Sequence, residues 1–247
     1  MPAVTFGFWV IKILATTLGE TGGDWVTMFL NHGYLIGTGI FALIFVALVW
    51  SQVTAMSFRP ALFWATIFAT TMLGTTIADF ADSSLGIGYL GGVALVVALL
   101  AVSLAVWRWS EGTVSVESIS TPKAVWFYWV TILFSQTLGT ALGDWLAGSD
   151  RGGFGMGYKY GTLVFGVGLV IVAALYFWTK VSHTILFWAA FILTRPLGAT
   201  VGDLLDKPTA SGGLNFSRWV ASLVLLGCIV ICLALIPQRA AGKGQTV

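Results

Sequence analysis

The sequence predicts an all-α, polytopic membrane protein of eight transmembrane helices, arranged as four parallel helix-hairpin repeats with pseudo-symmetry about the membrane normal. Three observations carry that prediction. The composition is too apolar for a water-facing surface, stretches of spanning length fill nearly the whole chain, and one motif returns four times at matching offsets.

Of the 247 residues, 57% are hydrophobic and only 9% are charged, and the mean hydropathy is +0.92. A soluble domain carries about 25% charged residues, so this surface is built for lipid. That excludes soluble enzymes. The net charge of +2 comes without a basic stripe, so no nucleic-acid partner is expected. Met1-Pro2-Ala3-Val4 lacks a basic n-region and a small-residue cleavage site, and reads as the start of the first span.

Spans of about 20 apolar residues cross a bilayer, and they are expected near 5–29, 33–53, 61–82, 86–108, 124–147, 156–179, 183–206 and 216–236. They pair into repeats at about 5–53, 61–108, 124–179 and 183–236. Together these form a single transmembrane domain over 1–237, with a linker at 109–122 and a polar tail at 238–247. The repeat is read from Leu18-Gly-Glu-Thr-Gly-Gly-Asp24, Leu73-Gly-Thr-Thr-Ile-Ala-Asp79, Leu138-Gly-Thr-Ala-Leu-Gly-Asp144 and Leu197-Gly-Ala-Thr-Val-Gly-Asp203. Ten residues before each Leu stands an aromatic pair: Phe8-Trp9, Phe63-Trp64, Tyr128-Trp129 and Phe187-Trp188. Each second helix opens on small residues four apart. These are Gly33 and Gly37, Gly88 and Gly92, and Gly157 and Gly161, replaced in the last copy by Ser217 and Ala221.

With two spans per copy, successive copies enter the bilayer in the same direction, so any symmetry axis lies along its normal. The four aspartates then share one depth, roughly 27 Å along the helix from Phe6 in the first copy. Lys and Arg in short loops set orientation. The side of the termini holds Arg59, Arg108, Lys123, Lys180, Arg239 and Lys243, against Arg151, Lys159, Lys207 and Arg218 opposite, which favours cytoplasmic termini. Trp9 and Trp50 on one side, and Trp25 and Trp145 on the other, fit aromatic belts.

These residues resemble a family. Phe8-Trp9, the stretch from Lys12 to Asp24 and its three echoes are similar to the bacterial membrane-anchored proteins defined by four copies of a repeat of unknown function. The resemblance runs from about Phe6 to Pro237. It implies a bacterial inner-membrane location and the repeat architecture, but brings no activity with it. Ala78 in place of glycine, and the missing Gly-Tyr opening of the fourth copy, are departures between copies.

Gly19, Gly23, Gly74, Gly139, Gly143, Gly198 and Gly202 form small-x-x-x-small patterns that let membrane helices approach closely. Local unwinding around them, exposing carbonyls to an ion, is the alternative. Asp24, Asp79, Asp144 and Asp203 sit near helix C-termini, where the dipole disfavours a carboxylate. They are either interface residues bonded to turns or the lining of a vestibule for hard cations.

Positions where the copies differ are more telling. Glu20 stands where the others have Thr75, Thr140 and Ala199; Lys12 where they have Ile67, Ile132 and Phe191; and Thr16 is matched by Thr71, Gln136 and Arg195. Lys12, Thr16, Glu20 and Asp24 share one helix face. Ionisable residues inside a bilayer are costly and mark function or an internal pair. Lys12, Thr16, Gln136 and Arg195 read as an intramembrane charge and polar network, with snorkelling of Lys12 toward the near interface as its alternative. Arg195 is expected to pair with Glu20, and Pro196 to kink its helix.

Cys228 and Cys232 read as small core residues, with a soft-metal site as the alternative. His32 and His183 fall on opposite sides of the membrane, against haem ligation, and no catalytic triad or zinc-protease spacing occurs. The expectation is therefore a non-enzymatic, transporter- or channel-like protein handling a small cation, either a divalent metal or a proton-coupled solute. Glu20 and the four aspartates would bind it, no cofactor is implied, and the metal identity is unknown. The alternative is a non-transporting scaffold or small-ligand sensor. The lipid bilayer is the expected partner, and oligomer formation is left open.

Overall fold

The computed structural model describes residues 4–29, 33–55, 58–114 and 121–238. His32, Arg239, Lys243, part of the 109–122 linker and nearly all of the tail lie outside the described residues. Among those described the chain is helical throughout. The helices are α1 (Phe6–Phe29), α2 (Gly33–Thr54), α3 (Pro60–Asp79), α4 (Gly88–Glu111), α5 (Pro122–Ala147), α6 (Tyr158–Trp178), α7 (His183–Asp206) and α8 (Arg218–Leu235). Seven are long and apolar enough to span a bilayer. The eighth, α1, has their length but carries Lys12, Glu20 and Asp24, all buried. The chain is a multi-pass membrane protein.

Local chemistry sets the ends. Pro60 and Pro122 stand in the first turns of α3 and α5, where a missing N–H costs nothing, and the Thr121 side chain accepts from the Ala124 N–H at 3.0 Å. Gly112 ends α4 in a left-handed conformation (φ 72°). The linker is therefore shorter than the sequence predicts, because α4 runs on to Glu111 and α5 begins at Pro122. One π-helical turn, Phe80–Ser84, prolongs α3. Pro196 sits inside α7 without ending it, as the supporting neighbours of membrane helices allow.

The odd-numbered helices form a closed inner ring: α1 packs on α3, α3 on α5, α5 on α7, and α7 returns to α1. The even-numbered helices lie outside. Each packs chiefly on the first helix of the next copy, α2 on α3, α4 on α5, α6 on α7 and α8 on α1, rather than on its own hairpin partner. Buried share divides the two sets: 67% for the spans of α3 and α5 and 56% for α7, against 22%, 17%, 6% and 17% for α2, α4, α6 and α8. A helix apolar all round suits the lipid side, whereas a helix with one polar stripe must turn that stripe inward.

Glycine brings the ring helices together. A Cβ on Gly19 would lie 2.4 Å from Thr71 Cβ, one on Gly74 3.0 Å from the Thr137 nitrogen, one on Gly139 2.5 Å from Arg195 Cβ, and one on Gly198 2.6 Å from Thr16 Cβ. In each seam the same repeat position meets the equivalent position of the following copy, and the last seam closes on the first. Gly23 over Thr75, Gly143 over Ala199 and Gly202 over Glu20 repeat the contact one turn on, so these neighbours run parallel. A fourfold pseudo-axis follows.

Candidate cation site on the ring axis

Equivalent positions stack into levels along that axis. At the N-terminal end of the ring the aromatic pairs interlock: Phe8 lies 5.6 Å from Trp64, Phe63 5.7 Å from Trp129 and Trp9 5.7 Å from Phe187. Trp64 and Trp129 are each 1% exposed, so this end is plugged by rings. Trp9, half-buried, packs against both Phe8 and Phe187. One turn further in come Lys12, Ile67, Ile132 and Phe191, then Thr16, Thr71, Gln136 and Arg195, then Glu20, Thr75, Thr140 and Ala199, all buried. Asp24, Asp79, Asp144 and Asp203 follow at the far end.

Arg195 bridges the entire ring. From α7, its Nη1 donates to Thr16 O at 3.2 Å and to Glu20 Oε2 at 3.1 Å on α1, while Nη2 donates to Thr71 O at 3.4 Å and Thr75 Oγ1 at 2.6 Å on α3. Nη2 also donates to Thr140 Oγ1 on α5. Thr75 in turn donates toward Glu20 Oε2 at 3.3 Å. The guanidinium and Glu20 are 0% and 4% exposed as side chains. A planar fork with fixed donors suits this task, since one group can serve several acceptors at once. The ion pair closes the axis between the acidic end and everything below it.

Above that pair the carboxylates gather. One oxygen each of Glu20, Asp144 and Asp203, drawn from α1, α5 and α7, lies within 4.8 Å of the others, and Asp24, Asp203 and Asp206 form a second such group. Two cations, Lys207 just past α7 and Arg218 at the start of α8, tie down this second group. Lys207 Nζ lies 3.0 Å from Asp24 Oδ2 and 3.1 Å from Asp203 Oδ1. Arg218 Nε lies 3.0 Å from Asp206 Oδ2 and 3.8 Å from Asp24 Oδ2.

Burial works against the Lys207 charge, but Asp203, Asp24, Asp79 and Asp206 outweigh it and hold the ammonium well above the usual lysine range. With its folded pKa raised, the stability it contributes is complete below the ordinary lysine pKa. That stability is lost only as pH climbs through the folded pKa, so the tie is intact at neutral pH. The α7–α8 connection is held in place by backbone bonds folding back on the end of α7, Leu214 N to Leu204 O at 2.7 Å and Phe216 N to Leu205 O at 2.8 Å. The α5–α6 connection does the same at the end of α5, with Phe154 N to Trp145 O at 2.6 Å and Met156 N to Leu146 O at 3.1 Å.

The repeat is decided by four consecutive matches, over residues 7–57, 62–113, 127–182 and 186–237, to the family described as Repeat of Unknown Function (DUF347). The chain belongs to the DUF347 repeat family. No curated protein and no solved structure matches it. In this DUF347 chain the four copies supply one ring helix each, and their shared motif supplies the seam glycines and the acidic end.

Of the residues singled out in the sequence, Glu20, Asp144 and Asp203 converge on the axis, and Asp24 joins Asp203 and Asp206 beside it. Asp79 stands at the end of α3, half-buried, and is in neither group. Arg195 meets Glu20. Thr16 donates to Thr194 O at 3.0 Å, joining α1 to α7.

The snorkelling alternative for Lys12 fails. Lys12 is 0% exposed, with Nζ 4.2 Å from the centre of the Phe191 ring. Its helix face points into the ring, and the aromatic plug bars the short route to the near interface. Cys228 also departs from the reading as a core residue. It is exposed on the outer helix α8, with Cys232 half-buried.

The sequence reading missed Asp206 as part of the acidic end, and it took Lys207 and Arg218 only as orientation charges. A signal existed, since Asp203 and Lys207 are four apart, the spacing of an ion pair on one helix face. A cavity of about 470 Å³ between α1, α6 and α7 is lined by apolar groups such as Leu169, Ala173 and Phe187. It lies away from the charged axis and faces the lipid side.

Proposed function

We propose that this chain is a transporter- or channel-like protein of the bacterial inner membrane, its termini cytoplasmic, that handles a small cation at the acidic end of the ring. The observation that carries the reading is the convergence of Glu20, Asp144 and Asp203 from three ring helices onto the axis, directly above the Glu20–Arg195 pair. Oxygen-only ligands suit hard divalent ions.

Glu20 belongs to both the carboxylate group and the ion pair. A cation drawn to Glu20 competes with Arg195 for the same carboxylate, and releasing the guanidinium would loosen its hold on all three neighbouring helices. That coupling is the mechanism we infer: ion binding at the mouth opens the bar across the axis. Lys207 acts in the same scheme as a tethered cation that an incoming ion displaces from Asp24 and Asp203.

Flux in proteoliposomes across a panel of H⁺, Na⁺, Mg²⁺, Mn²⁺ and Zn²⁺ tests the proposal. Selective flux is expected from the wild type and should fall by about tenfold or more in both Glu20→Gln and Asp144→Asn, the loss of one charged ligand being worth upwards of 1.4 kcal/mol. No flux above empty liposomes from folded protein would overturn it in favour of a non-transporting scaffold or sensor. Lys207→Gln provides a test in the opposite direction. With the ammonium gone, Mn²⁺ binding measured by calorimetry is expected to tighten by about tenfold. Weaker binding would show that Lys207 builds the site instead of guarding it.

A further inference from the structure

Below the Arg195 bar lies a second set of polar groups that the cation reading does not use. Lys12 Nζ, both amide atoms of Gln136 and Arg195 Nε are fully buried, and none makes a hydrogen bond among the described residues. The polar contact Lys12 does have is with the face of the Phe191 ring. Gln136 and Arg195 are equivalent positions on the adjacent helices α5 and α7, and Lys12 stands one turn, about 6 Å, nearer the aromatic plug. Leaving such donors unsatisfied in a dry interior is costly, and a chain of this kind has apolar alternatives at hand. Ile67, Ile132 and Phe191 fill the level of Lys12 in the other copies.

The donor set has a definite preference. Lys12 Nζ, Gln136 Nε2 and Arg195 Nε all donate, whereas Gln136 Oε1 is the lone acceptor among these groups. Glu20, the carboxylate that Arg195 meets, is bonded through Nη1 and not through Nε. The stretch between the plug and the bar therefore carries a surplus of buried donors. We infer that it is a binding site for a small monovalent inorganic anion of halide size, held by Lys12, Gln136 and Arg195 Nε. A small anion accepts from such donors, and a larger or doubly charged one would be left uncompensated among Ile67, Ile132 and Phe191. This site is separate from the carboxylates of the mouth and stands whether or not cation flux is found.

Bromide reports on it directly. Full-length protein purified in detergent and gluconate would be equilibrated with sodium bromide and desalted, and its retained bromide measured by mass spectrometry. The wild type is expected to hold bromide stoichiometrically. Lys12→Met, which restores the apolar character of the other copies, and Gln136→Leu are each expected to hold about tenfold less, in line with loss of a charge-assisted or neutral hydrogen bond in a buried site. Monodisperse elution of both variants keeps the comparison valid. Wild-type protein that retains no bromide overturns the inference and assigns the donors to water. Equal retention in wild type and both variants places the anion elsewhere and overturns it as well.

Discussion

Arg195→Met is expected to be the most damaging single substitution in the chain, lowering unfolding stability in detergent by about 3–5 kcal/mol. That is the range for removing one partner of a buried ion pair and stranding the other. The stranded group is Glu20, which would keep only a 3.3 Å bond from Thr75. Five acceptors on three helices lose a donor at once, Thr16 O, Glu20, Thr71 O, Thr75 and Thr140.

Glu20→Gln is expected to cost less, because Arg195 retains its backbone and threonine acceptors. The double variant Arg195→Met/Glu20→Gln removes both charges and should be more stable than the sum of the single losses predicts, with a coupling of about 1–3 kcal/mol. Denaturant titration of all four proteins measures this. Strict additivity, or a loss below about 1 kcal/mol for Arg195→Met, would show that the ring does not depend on the guanidinium.

The second large effect concerns two glycines in the same motif. Gly198→Ala is expected to destabilise by about 1–3 kcal/mol or more, the cost of overpacking a tight interior. Its Cβ would sit 2.6 Å from Thr16 Cβ and 2.8 Å from the Thr16 carbonyl carbon, and backbone cannot step aside as the end of a flexible side chain can. Gly198 also lies in the seam where α7 closes on α1, so the strain falls on the contact that completes the ring.

Gly23→Ala should behave in the opposite way. Its Cβ would meet Thr75 at 3.4 Å and 3.5 Å, ordinary contact distances, and alanine gains up to about 1 kcal/mol of helix propensity. The natural alanine at position 78 already occupies the equivalent place in the second copy. Comparable losses in the two variants, measured by the same titration, would sink the claim that distance at the seam, and not the motif as such, decides which glycines are required.

Much of this architecture is written in the sequence because a repeat states the same physical problem four times. Where the copies agree, as at Leu18 to Asp24 and its echoes, the shared residues mark seam and acidic end. Where they disagree, as at Lys12, Glu20, Gln136 and Arg195, the odd residue stands out against apolar or threonine counterparts. That Glu20 and Arg195 lie within one turn of depth was readable from the offsets alone. Arg195 is equivalent to Thr16, and equivalent positions on parallel helices lie at one level. Snorkelling stood as the alternative for Lys12 because a lysine near a helix end has a route to water in an isolated helix. Only the ring shows that the route is filled by Phe8, Trp64 and Trp129.

By itself the sequence determined that the chain is a multi-pass membrane protein of four parallel helix pairs, which positions are equivalent, and which polar groups lie inside the bilayer span. Hydropathy, helix period and repeat offset are local properties, and each is read along the chain. The tertiary structure decided that each outer helix packs on the next copy, that α7 closes on α1, and that Lys207 and Arg218 fold over the aspartates. A helix apolar all round carries no mark of which neighbour it will meet. A loop cation finds its carboxylate only once the ring has brought distant turns within about 3 Å of each other.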